Sequence, residues 1–358
     1  MKKSLRWSLL MGLQSSGTRP FIGLAFFISL ALSSCASDPR IKTAQDFGSM
    51  SGKLRDNTNR LADDIYNSCI RRVQFYRMDT TALREVRDEA WQACDRLNKP
   101  AAARTKEANK IAIDYVEAIG RLATDEVVSF DGQLETVGAS LKALSIPVNA
   151  GLPVSLPPAA VDTGVQIASF IANWAANRYR TGRLAEAITC TNEPFQAYSK
   201  SLDRALRDGY IEGILRQEIN QAQLFFDDYT AIAKAEGGTW RDFSALSKES
   251  YNTVLPLIQR RNAALAYVSI IGKTAKAHAE LSKTFLNSPE PRTPASPLCK
   301  AYFARSIPRA SAQKPFENLA ESKRISPDQL MRANRILVAY RNDVSPLIRR
   351  MNESLGSK

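Results

Sequence analysis

Beyond residue 40 the chain returns an apolar residue every three or four positions, the spacing that puts them on one face of a helix. The first stripe, over 43–76, carries Phe47, Met50, Leu54, Leu61, Ile65, Cys69 and Val73. A second, over 80–97, carries Leu83, Val86, Ala90, Cys94 and Leu97. Asn98 and Pro100 predict a break, and a third helix then repeats Val116, Ile119, Ala123, Phe130, Leu134, Val137, Leu141 and Leu144 to about 145. A fourth resumes after Asp162 and is predicted to reach about 189. The fifth is expected after Asn192 and Pro194, presenting Phe195, Tyr198, Leu202, Leu206, Leu215, Phe226 and Tyr229, and Gly237-Gly238 stops it.

The sixth helix, about 240–286, carries Phe243, Leu246, Val254, Ile258, Leu265, Val268 and Phe285, with a bend predicted at Pro256. The last opens on Ser326-Pro327-Asp328-Gln329, a cap, a first-turn proline and an acid in their favoured places. Its stripe is Leu330, Ala333, Leu337, Tyr340, Val344, Leu347 and Met351, and Pro346 should kink it. No alternating Val/Ile/Thr run marks a strand. Seven helices joined by short turns predict an all-α fold, an elongated antiparallel helical bundle.

Two stretches interrupt the helices. Residues 143–161 hold four prolines and no charge, an apolar hairpin that either tucks against the bundle or meets a membrane or partner. Prolines 289, 291, 294 and 297 mark a linker. The expected organisation is a leader over 1–34, a bundle over 35–290 and a C-terminal element over 291–358.

The leader reading rests on order. A basic start with Lys2, Lys3, Arg6 and Arg19 precedes the uncharged 12-residue run Phe21–Leu32, too short to span a bilayer and right for a signal-peptide core. It closes on Leu32-Ser33-Ser34-Cys35, which resembles the lipobox of bacterial lipoproteins. The resemblance covers this segment alone. It implies cleavage before Cys35, palmitate and related acyl chains on that cysteine, and anchorage in the cell envelope. Ala36 stands where many such proteins carry an inner-membrane aspartate, which implies the outer membrane, facing the periplasm, in a Gram-negative host.

With Cys35 set aside, Cys69, Cys94, Cys190 and Cys299 form an even set, as an oxidising compartment favours. Hairpin geometry predicts two disulfides, Cys69–Cys94 across the break at 77–80 and Cys190–Cys299 across the later turn. No C-x₂-C or H-x₃-H spacing suggests a metal.

The formal charge of +13 is unevenly placed: residues 292–358 carry 13 Lys/Arg against 5 Asp/Glu, and residues 35–290 are nearly neutral. Arg332, Arg335, Arg341, Arg349 and Arg350 fall on the last helix, a candidate surface for an anionic lipid or envelope polymer. An exported chain gives no reason to expect nucleic acid.

No catalytic constellation emerges. His278, the one histidine, shares the apolar face of Ile271, Ala275 and Leu281 and reads as a helix-interface residue. Gly272-Lys273-Thr274 lacks the leading glycine of a phosphate loop, and Ser311–Lys314 lacks the companion motifs of penicillin-recognising enzymes. Asp125-Glu126 and Asp227-Asp228 are adjacent on helices, so their side chains diverge. The expected function is therefore a non-enzymatic, envelope-anchored binding or scaffolding protein without a cofactor. The alternative is a membrane-active bundle using the 143–161 hairpin, an architecture similar to α-helical pore-forming toxins, and an enzyme of unknown type stands third.

Overall fold

A computed structural model describes residues 39–75, 83–122, 139–147, 153–176, 184–286 and 326–356. These are almost wholly helical, so the all-α expectation holds. Residues Arg40–Lys358 form one compact unit. Helix α1 (Pro39–Val73) lies antiparallel to α2 (Leu83–Ala93) and α3 (Lys99–Leu122). The pairing is fixed by Tyr66 donating to Asp95 at 2.8 Å, Arg55 to Asp114 at 2.7 Å and Ser51 to Glu117 at 3.1 Å. At its end Cys69 is bonded to Cys94 with a Cα separation of 5.7 Å, the one disulfide seen between described residues. Cys190 is fully buried and disulfide-bonded, with its partner outside the described residues, as Cys299 is.

The predicted break at Asn98 and Pro100 does not occur. A π-helical turn, Cys94–Asn98, joins α2 to α3 without interruption. The Lys99 N–H donates to the Cys94 carbonyl five residues back, and this wider turn passes Pro100, which has no N–H to offer. The boundary predicted at 189–194 does not occur either: α4 (Pro158–Ala176) starts early, with prolines at its first turn, and α5 (Leu184–Arg204) runs straight through Pro194. The chain between α4 and α5, 177–183, holds Arg178, Arg180, Gly182 and Arg183 and lies outside the described residues. An 11-residue π-helix, Ala205–Leu215, continues α5 into α6 (Arg216–Ala235).

The expectation of no strand needs a small correction. Ser145–Ile146 (β1) and Val154–Ser155 (β2) pair antiparallel in the 143–161 segment. Leu144, Ile146 and Leu156 at its stem are buried, and Ile146 packs on the π-helix where Gly209 leaves room, a Cβ there falling 3.0 Å from that of Ile146. The described apolar stem is thus spent on the core. Residues 148–152 lie outside the described part.

After Gly237, whose φ of +80° only glycine adopts freely, α7 (Trp240–Phe285) returns antiparallel to α5 and α6. α8 (Pro327–Leu355) starts on the predicted cap, with Ser326 accepting from the Gln329 N–H and Gln329 accepting in return. It packs antiparallel along α7 through Gln329 to Thr284, Thr274 to Tyr340 and Lys273 to Asp343. Ala333, Leu337, Tyr340, Val344, Ile348 and Met351 are buried in the main core, so α8 belongs to the same unit as the rest. Past the end of α8, α6 and α7 run on as a two-helix arm in which no residue from 227 to 253 is buried. Among the described residues no helix is long and apolar enough to cross a membrane.

Candidate functional site

α8 ends beside α1 and α7, both of which continue past it. The gap left there is a cleft of about 480 Å³. One wall is the α1 row Arg60, Asp63, Asp64, Asn67 and Arg71; the other is Pro256, Gln259 and Arg260 of α7. Ser354, Leu355 and Gly356 close the floor, where Arg60 donates to the Leu355 carbonyl at 2.5 Å. This pairs a cation with a helix C-terminus, where the macrodipole favours it.

Behind the wall lies an ionic network. Glu218 of α6 is fully buried and takes both oxygens to Arg71, at 2.6 and 2.9 Å, with Ser68 donating at 2.5 Å. Asp64, also buried, meets Arg71 at 2.9 Å and Arg260 at 3.4 Å and accepts from Tyr210 of the π-helix at 2.8 Å. Burial works against charge on Arg71, but the Glu218 hydrogen bonds and the nearby Asp64 outweigh it and hold its pKa above the usual value. Burial, with Asp64 adding to it, pushes the Tyr210 phenol well up. This wall is therefore a fixed array of charges, neutralised from within and open on one side.

A second polar cluster is closed. Tyr115 of α3 donates to Nε2 of His278 and accepts from Thr191 at 2.8 Å. The other ring nitrogen, Nδ1–H, donates to Asn192 at 3.0 Å, and Gln196 donates to the same oxygen at 3.3 Å. Burial pushes the His278 pKa down to about 3, which keeps the ring neutral, and the Asn192 oxygen, able only to accept, sets the tautomer. The adjoining void of about 20 Å³ suits a single water and no substrate. His278 is the buried interface residue its sequence position suggests.

The other candidates are placed as follows. Arg332, Arg335, Arg349 and Arg350 are exposed along one side of α8, while Arg341 is half-buried on its flank. Lys273 of the Gly272-Lys273-Thr274 run sits mid-helix and pairs with Asp343 at 2.7 Å. Asp227 is exposed and Asp228 half-buried on α6. Cys35, Cys299, Asp125-Glu126 and Ser311–Lys314 lie outside the described residues. No group of three metal-ligating side chains occurs among the described residues.

The cleft itself was not singled out in the sequence. Its signal was there: positions 60, 63, 64, 67 and 71 make a polar row beside the apolar row 54, 61, 65 and 69, on a helix packed from two sides. Compared with known proteins, the chain matches no family model, no curated sequence and no solved structure.

Proposed function

We propose that this chain is an exported lipoprotein, anchored in the cell envelope through acyl chains on Cys35, whose helical body acts as a non-enzymatic binding or scaffolding protein. The observation that carries the reading is the buried Cys69–Cys94 disulfide, since such a bond is kept in an oxidising compartment and not in the cytosol. A Cys190–Cys299 bridge completes the set. Binding fits a charged cleft that offers fixed guanidinium and carboxylate groups.

The four exposed arginines of α8 form the surface that would rest on an anionic lipid or envelope polymer, each adding about 1 kcal/mol near such a surface. Because α8 is built into the core, the test is charge reversal rather than truncation. The full chain and a variant carrying Arg332→Glu, Arg335→Glu, Arg349→Glu and Arg350→Glu are compared by sedimentation with anionic vesicles and with purified cell wall. The reading expects salt-sensitive binding that the variant loses. Equal binding by both removes the basic face. Labelled palmitate entering the wild type and not Cys35→Ser tests the anchor separately.

A further inference from the structure

The charge array of the cleft selects among ligands. Arg260 makes one contact among the described residues, Nε to Asp64 at 3.4 Å, and its side chain is 30% exposed. The side chain lines the cleft, and its guanidinium is a planar fork suited to a carboxylate. Arg71 beside it is held by Asp64 and Glu218 and cannot swing away. On the same wall stands Asp63, 52% exposed and shared with Lys106 at 2.6 Å, with the exposed Asn67 one turn on. Two carboxylates on one wall oppose a multiply charged anion, and three guanidinium groups oppose a simple cation. A ligand with one charge of each sign meets neither objection.

We propose that the cleft between α1 and α7 binds a short zwitterionic peptide, its free carboxylate on the Arg260 fork and its free ammonium against Asp63 and Asn67. The volume of about 480 Å³ lies within the range of small-ligand sites, roughly 300–1,000 Å³. Pro256 and Leu355 are its few apolar walls, so small side chains fit best. The buried carboxylates Asp64 and Glu218 serve the site from behind: they fix the arginines before the ligand arrives, so little ordering is left to binding. This inference rests on the binding-protein reading and deepens it.

The test is calorimetric titration of the full-length chain, in detergent, with trialanine, its N-acetyl form, its C-terminal amide and inorganic phosphate. Trialanine should bind, and each blocked form, having lost one charge-assisted hydrogen bond, should bind about tenfold more weakly or worse. Arg260→Gln should erase the preference for a free carboxylate. Asp63→Asn, at an exposed position, should erase the preference for a free ammonium with the melting temperature unchanged. Absence of trialanine binding by the wild type, equal binding of the blocked forms, or binding of phosphate alone would each overturn the proposal. A null result with salt-sensitive surface binding intact overturns the cleft alone; loss of both overturns the binding-protein reading.

Discussion

At the level of single residues, the buried polar groups separate into those that hold the fold and those that face a ligand. His278 holds the fold, and it makes stability depend on pH. Its folded pKa of about 3 lies below the ordinary value of 6.5, so below pH 6.5 the unfolded chain takes up a proton that the folded chain refuses. Stability is full above pH 6.5 and falls as pH drops towards 3. Each pKa unit is about 1.4 kcal/mol, so roughly 2–3 kcal/mol should go between pH 6.5 and 4.5. Denaturant titrations of wild type and His278→Gln should show this slope in the first and not the second; equal slopes would mean that the ring is solvated. Glu218 is the other such residue. Replacing it with alanine leaves the Arg71 guanidinium without its bidentate partner and should cost about 3–5 kcal/mol, read as a shift of the denaturation midpoint. The apolar setting of His278 was legible from its own turn of helix. Its partners were not, because Tyr115 is 163 positions away and Asn192 is 86, and nothing local marks either.

Among the helices and turns, what could be read ahead was what the local chain decides. The Ser326 cap, the Gly237-Gly238 stop and the apolar stripe of α8 depend on neighbours within a turn or two; the cap and the stop stand where expected, and the stripe does so except that Ile348 is buried where Leu347, half-buried, was expected. Pro100 and Pro194 were read as breaks because isolated helices end there, but packing on both sides carries the helix through. The π-helical turn Cys94–Asn98 accommodates Pro100, and neither it nor the run Ala205–Leu215 has a sequence signature of its own. Two glycines test the packing. A Cβ on Gly164 of α4 would meet Leu141 at 2.5 Å and Tyr198 at 2.9 Å, both fully buried, so Gly164→Ala should destabilise by about 1–3 kcal/mol. Gly272 of α7 has nothing within 4 Å, and Gly272→Ala should stabilise by about 0.5–1 kcal/mol. Thermal melts of the two variants should move in opposite directions. The arm at 227–253, with no buried residue, should exchange its amide hydrogens well before the half of α7 from Leu257 to Phe285, which carries much of the core.

For the whole molecule, the cleft exists because helices of different length lie side by side: α8 stops where α1 and α7 continue. No reading of one helix at a time could show this, although the polar row on α1 hinted that its inner face was not all core. The hairpin at 143–161 was correctly seen as apolar and charge-free, and its described stem shows where that character is used. The basic excess in the C-terminal fifth is a fact of the sequence, but the four arginines that share one side of α8 could be separated from Arg341 only once the buried face was known.

The central claim, an exported and acylated helical body closed by disulfides, is tested most directly by the intact mass of the chain isolated from its native envelope. The protein is denatured and alkylated without reduction before measurement. The account predicts a chain beginning at Cys35, heavier than its sequence by the attached acyl groups, with no alkylated cysteine until a reductant is added. An uncleaved chain retaining residues 1–34, or four cysteines alkylated without reduction, would contradict it.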